Sequence, residues 1–205
     1  MFIKSELTKR FKIVGVASVL TLGLTACASN DKKVADVPAP ESKTEQMAST
    51  EATKMTVSEL YEVHDDGRIY VFYDRSLYED FLKTGHTAYM LARIGAGPKG
   101  ETIKFALTGE DKKKRSGIPS VELFDGNADA ASPFYAEMRA EGRIYVFDNA
   151  DDLTSVRKVG EAPYRFTEIG AGPNGETIVY VLNKSNKKQK PVELIEAFKK
   201  QNGMS

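Results

Sequence analysis

The chain has 205 residues, 41% of them hydrophobic, and its 29 Lys and Arg residues balance 29 Asp and Glu residues. That length suits one or two small domains, and the even charge gives no bulk field toward nucleic acid or a charged membrane surface. A single cysteine, Cys27, excludes an intramolecular disulfide and a thiolate metal cluster.

Residues 1–26 read as an export signal. Lys4, Lys9, Arg10 and Lys12 make the start basic, and Ile13 to Ala26 is an apolar run of 14 residues, too short to span a bilayer as a stable helix. The run ends in Leu24-Thr25-Ala26-Cys27, which resembles the lipobox of bacterial lipoproteins. In that family the signal is cut before the cysteine, the thiol receives a diacylglycerol and the new amino group is acylated. The resemblance implies a lipid anchor at Cys27, held stably at about 0.8 kcal/mol per buried CH₂. Ala28, not Asp, follows the cysteine, which resembles the family's sorting pattern for the outer membrane; a folded part facing the periplasm is the expectation taken with it. Residues 27–55 contain Ser, Thr, Lys, Glu, Pro and Ala but no aromatic residue. Such a composition predicts a disordered tether.

The folded part is expected from Thr56, and it repeats itself. Residues 94–103 read IGAGPKGETI and residues 169–178 read IGAGPNGETI, nine of ten positions being identical. From Gly67 to Lys113 the match runs without a gap at an offset of 75, with 21 of 47 positions identical. This predicts an α+β fold of tandem duplicated units, residues 56–126 and 127–205, packed as one pseudo-two-fold body. Each unit reads as ββαββ with a trailing helical piece. Asp66-Gly67 and Glu141-Gly142 mark hairpin turns. Asp74 and Asn149 stand as helix N-caps, and Gly85 and Gly160 as stops. The trailing piece reads as a helix after Pro191, but Gly117 and Gly126 flank the first one and predict only a turn. The divergent helices (Leu77, Phe81 and Leu82 against Asp152, Val156 and Arg157) predict different surroundings for the two. The seam between the units is the natural place for a groove.

GAGPKG and GAGPNG fit the dinucleotide pattern G-x-G-x-x-G, which needs a helix after the glycines to hold the pyrophosphate. Ile103, Phe105 and Leu107 alternate instead, as do Ile178, Tyr180 and Leu182, so a strand is expected and the motif reads as a hairpin loop. Gly95, Gly97 and Gly100 would then supply positive φ.

Chemistry is sparse. The two histidines, His64 and His86, have Arg139 and Glu161 at the matching positions of the second copy. Glu62 with Glu137 and Glu101 with Glu176 are the shared carboxylates. A symmetric Glu101 and Glu176 pair would be the alternative reading as an envelope enzyme. Gly67 to Tyr89 is similar to the small YHS-type module, which makes periplasmic metal handling another alternative. Metal-binding members of that family carry cysteines after the strand, where Tyr73, Asp74 and Arg75 stand here. The sequence is therefore read as a non-catalytic binding or structural factor without metal or cofactor. Its partners are the membrane, through Cys27, and an envelope protein or glycan; nucleic acid is not expected. The shared residues Arg68 and Arg143, Tyr70 and Tyr145, and Tyr89 and Tyr164 are the candidate recognition surface.

Overall fold

The computed structural model describes residues 54–204. The export signal, Cys27 and all but the last two residues of the tether lie outside the described residues. Strands β1 (Thr56–Asp65) and β2 (Arg68–Phe72) form an antiparallel hairpin. Its two-residue turn has Asp66 at φ 45° and Gly67 at φ 68°. Positive φ at both central residues matches the turn's twist to that of the strands. Helix α1 (Arg75–Thr84) follows, capped by Asp74, whose side chain accepts from Leu77 N, and stopped at Gly85 in the left-handed region. Strands β3 (Met90–Arg93) and β4 (Thr102–Ala106) then pair antiparallel across the GAGPKG loop. A strand, not a helix, leaves the glycines.

Residues 119–124, expected to be only a turn, form the short helix α2 (Pro119–Phe124), with proline at the start. Proline is preorganised for that position and gives up no needed donor there. The same order then recurs. Strands β5 (Asp129–Ala140) and β6 (Arg143–Phe147) form a hairpin. Helix α3 (Ala150–Val159) is capped by Asn149. Strands β7 (Tyr164–Glu168) and β8 (Thr177–Leu182) form the second glycine-loop hairpin, and helix α4 (Val192–Gln201) follows.

The fold is α+β: all eight strands join one sheet in the order β3-β4-β2-β1-β5-β6-β8-β7. Arg68 to Val71 pair in parallel with Thr102 to Phe105, and Arg143 to Val146 pair in the same way with Thr177 to Tyr180. The central strands β1 and β5 run parallel. Period-two alternation sends Leu60 to one face and Tyr61 to the other, so two cores form. One core holds Ile118, Val121, Leu153 and Val156 from the α2 and α3 regions. The other holds Tyr78, Phe81, Leu194, Ile195 and Phe198 from α1 and α4. Each face thus takes one helix from residues 56–126 and one from 127–205.

Two expectations need correction. The helices α1 and α3 differ less than their aligned residues imply, because Tyr78 and Phe81 are buried in one and Leu153 and Val156 at the matching positions of the other. The contrast sits at a single position, where Leu82 is 43% exposed and Arg157 only 7%. In the glycine loop, positive φ belongs to Gly95 (69°) and Gly100 (84°), not Gly97. Gly97 is required for a different reason: a Cβ there would lie 2.9 Å from Glu101 Cβ, and one at Gly172 would lie 3.0 Å from Glu176 Cβ.

Candidate functional site

The sheet does not bring the six candidate residues together. Tyr89 and Tyr164 stand at its opposite edges, beside β3 and on β7. Each holds a lysine over its ring, Lys112 Nζ 4.0 Å from the Tyr89 centroid and Lys187 Nζ 4.4 Å from that of Tyr164. These contacts clip the basic runs back onto the edge strands. Tyr70 packs on Phe81 with Lys104 Nζ 5.1 Å from its ring, and Arg68 is paired with Asp66 at 2.7 Å. Tyr145 packs into the opposite face, the one under α2 and α3.

Of the six, Arg143 and Tyr145 open onto the larger free space. Alternation along β6 places both on one face, opposite Thr177 and Val179 of β8, with Thr167 of β7 opposite Val179 in turn. Arg165 lies two residues before Thr167 and shares that face. Helix α3 ends at Gly160, and Arg143, Arg165 and Thr167 remain exposed beyond it. The result is a cavity of about 480 Å³ floored by Val179 and lined by Arg143, Tyr145, Arg165, Thr167 and Thr177, with Glu161 also at its wall.

Its electrostatics set it apart. Among the eight described arginines, Arg68, Arg75, Arg93, Arg139 and Arg157 each pair with a carboxylate. Arg143 donates instead to Tyr145 Oη at 3.4 Å, and Arg165 donates to the Ala162 carbonyl at 3.1 Å. Neither meets a carboxylate among the described residues, and nor does the eighth, Arg115, but Arg143 and Arg165 line the same cavity.

Two of the other spaces touch side chains already engaged in internal bonds. At the seam, a cavity of about 230 Å³ touches His64, Arg68, Lys99, Glu101, Tyr145 and Arg157. Arg157 there is bound to Glu62, and Glu101 accepts from Lys99 N at 2.7 Å. A concavity of about 680 Å³ beside α3 opens where the described residues begin at Lys54, which pairs with Asp129 at 2.6 Å.

The shared carboxylates are structural. Glu62 is fully buried on β1 and takes Arg157 Nε from α3 at 2.8 Å, with His64 Nε2 at 2.9 Å from its other oxygen. Burial pushes its carboxyl up, but the Arg157 charge and the bonds from His64 and Arg157 outweigh that and hold it below its ordinary value. Glu137, equally buried on β5, accepts from Tyr78 of α1 at 3.0 Å, from Tyr135 at 2.6 Å and from Asn202 at 2.8 Å. Each acid reaches a helix of the other half, on opposite faces. Burial, followed by the Glu137 charge, raises both tyrosine hydroxyls and keeps them neutral donors.

Glu101 and Glu176, candidates for paired acid and base, fold back on their own loops. Glu176 accepts from Asn174 N at 2.8 Å and from Arg139 Nη1 at 2.7 Å. Burial opposes ionisation, but these amides and Arg139 bring its carboxyl down to about 2. His86 sits in the loop after α1 against the Thr84 carbonyl. Among the described residues no group of three or more His, Cys, Asp or Glu side chains is placed to hold a metal ion, and no described helix is long and apolar enough to cross a membrane. At the positions that compare with the cysteines of YHS-type modules, Tyr73 donates to Asp111, Asp74 caps α1, and Arg75 pairs with Glu79.

Comparison of the chain with protein-family models, curated proteins and solved structures finds no match.

Arg165 and Thr167 escape a reading that favours residues shared by both copies, and Thr177, shared with Thr102, escapes one that favours large amphipathic side chains. Arg165 matches Met90, and Thr167 matches Ala92. The alternation of Tyr164-Arg165-Phe166-Thr167 was the available signal, since it sets Arg165 and Thr167 on one face of an edge strand.

Proposed function

We propose that the chain is a lipid-anchored cell-envelope lipoprotein, acylated at Cys27 and facing the periplasm from the outer membrane, which acts as a non-catalytic binding factor. The Leu24-Thr25-Ala26-Cys27 stretch after an apolar run supports the anchoring. The cavity around Arg143, Tyr145 and Arg165 supports the binding role and is the observation that carries it. Guanidinium groups left without carboxylate partners in a concave site of about 480 Å³ are available to a ligand, and sites of this kind commonly measure roughly 300–1,000 Å³. The engagement of Glu101 and Glu176 by their own loops argues against the acid–base alternative.

Anchoring is tested by acyl labelling: Cys27→Ser should yield unlabelled protein, and equal labelling of both forms would reject the anchor. Binding is tested with a photo-crosslinking residue at Thr167 in intact cells. A discrete adduct that weakens with Arg143→Ala is expected. The same adduct pattern from a crosslinker at exposed Lys83 would overturn this assignment of the binding surface.

A further inference from the structure

We propose that the cavity between β6, β8 and β7 binds a sugar acid, a pyranose-sized ligand whose single carboxylate is held by Arg143 and Arg165. This rests on the reading of the protein as a binding factor and adds the chemical class of its ligand.

Size, polarity and charge each point that way. A cavity of about 480 Å³ has room for one or two sugar rings. Small-molecule sites are lined mainly by apolar groups, yet six of the nine lining residues here are polar, namely Arg143, Tyr145, Glu161, Arg165, Thr167 and Thr177. A ligand matched to hydroxyl, guanidinium and carboxylate groups must itself be polar over most of its surface, as a sugar is. Val179 and Ala162, both buried, leave a small apolar floor against which the C–H face of a ring can lie.

The guanidinium fork matches the planar carboxylate with two parallel hydrogen bonds. Two arginines and Glu161 leave the cavity with a net single positive charge, suited to a monoanion. A phosphate ester, carrying close to two negative charges, would leave the occupied cavity with a net negative charge, where a monoanion leaves it neutral. Glu161 in turn can accept from ring hydroxyls, and Thr167 and Thr177 can donate or accept.

The matching surface of the first half is built differently. Arg68 is paired with Asp66, Lys104 replaces Val179 and lies over Tyr70, and Met90 replaces Arg165. The second half alone keeps two guanidinium groups without carboxylate partners in this position among the described residues.

The test uses the full chain in detergent, titrated with glucuronate, glucose and glucose 6-phosphate by calorimetry and saturation-transfer NMR. Saturable glucuronate binding is expected, with glucose and glucose 6-phosphate weaker by about tenfold or more. Arg165→Met, which installs the residue of the first half, should weaken glucuronate by about tenfold or more. Arg115→Met, which removes an exposed arginine elsewhere, should leave it unchanged. Absence of saturable glucuronate binding below about 10 mM, equal binding of glucose, tighter binding of glucose 6-phosphate, or indifference to Arg165→Met would each overturn the proposal. The same samples separate this from the broader reading. Glucuronate chemically altered over hours would end the non-catalytic reading. Glucuronate left intact and unbound, while the Thr167 crosslink persists in cells, would end only the sugar-acid assignment.

Discussion

Glu62 keeps its charge in the dry interior because Arg157 arrives from the other half of the molecule, with its guanidinium also 4.5 Å from the Phe124 ring centroid. Removing one partner of such a pair strands a buried charge, typically at a cost of about 3–5 kcal/mol. Arg157→Leu, which installs the residue found at the matching position of α1, should therefore destabilise strongly in denaturant titration at pH 7. The double variant with Glu62→Leu should recover much of the loss, since a well-packed apolar pair can replace a buried ionic one. The pH dependence has a definite sign. In the native protein the carboxyl is held low, so its contribution is present above the ordinary carboxylate range and fades as pH falls through its folded value. In Arg157→Leu the opposing charge is gone and burial raises the carboxyl, so the deficit should shrink between pH 7 and pH 5 as Glu62 takes up a proton. A deficit that stays constant across that range would show that lost packing, not a stranded charge, is responsible.

Among the elements, the two glycine loops are the most tightly specified. Gly97 N donates to the Glu101 carbonyl at 3.0 Å, and Gly100 N donates to the Gly97 carbonyl at 3.0 Å. The second loop repeats both bonds, at 2.9 Å from Gly172 to Glu176 and 3.0 Å from Gly175 to Gly172. Since the glutamate lies over Gly97, Gly97→Ala should cost about 1–3 kcal/mol through crowding. Gly109→Ala, with open space around the position, should be nearly neutral in the same melting experiment. Equal effects of the two would refute the crowding account. The hairpins, caps and stops were legible because each rests on a local rule: Asp66-Gly67 for the turn, Asp74 and Asn149 for the caps, Gly85 and Gly160 for the stops. The requirement at Gly97 was not, because it comes from a side chain folding back and not from φ. Helix α2 was hidden by its flanking glycines, which act outside it, at positive φ on either side. The cavity was half legible. Arg143 and Tyr145 repeat between copies, but Arg165 converges on them only once β8 is known to pair in parallel with β6.

For the whole molecule, neither half owns a core. Both cores mix residues from 56–126 with residues from 127–205, and the halves meet along β1 and β5, strands of ten and twelve residues. Cutting the chain at residue 126 would expose each as an unpaired edge and uncover part of every face, a state prone to self-association. Residues 56–126 and 127–205 made separately should show no cooperative melt, while 56–205 should show a single one. Two fragments each melting near the temperature of the whole would mean that the seam contributes little. Because that seam is a parallel pairing, it also turns the halves over relative to each other, so Tyr70 belongs to one face and Tyr145 to the other. A flat array displaying many copies of a ligand can then be met by only one wing of a given molecule at a time. Binding strength must come from the single cavity and from the number of molecules engaged, not from the two wings gripping one surface together.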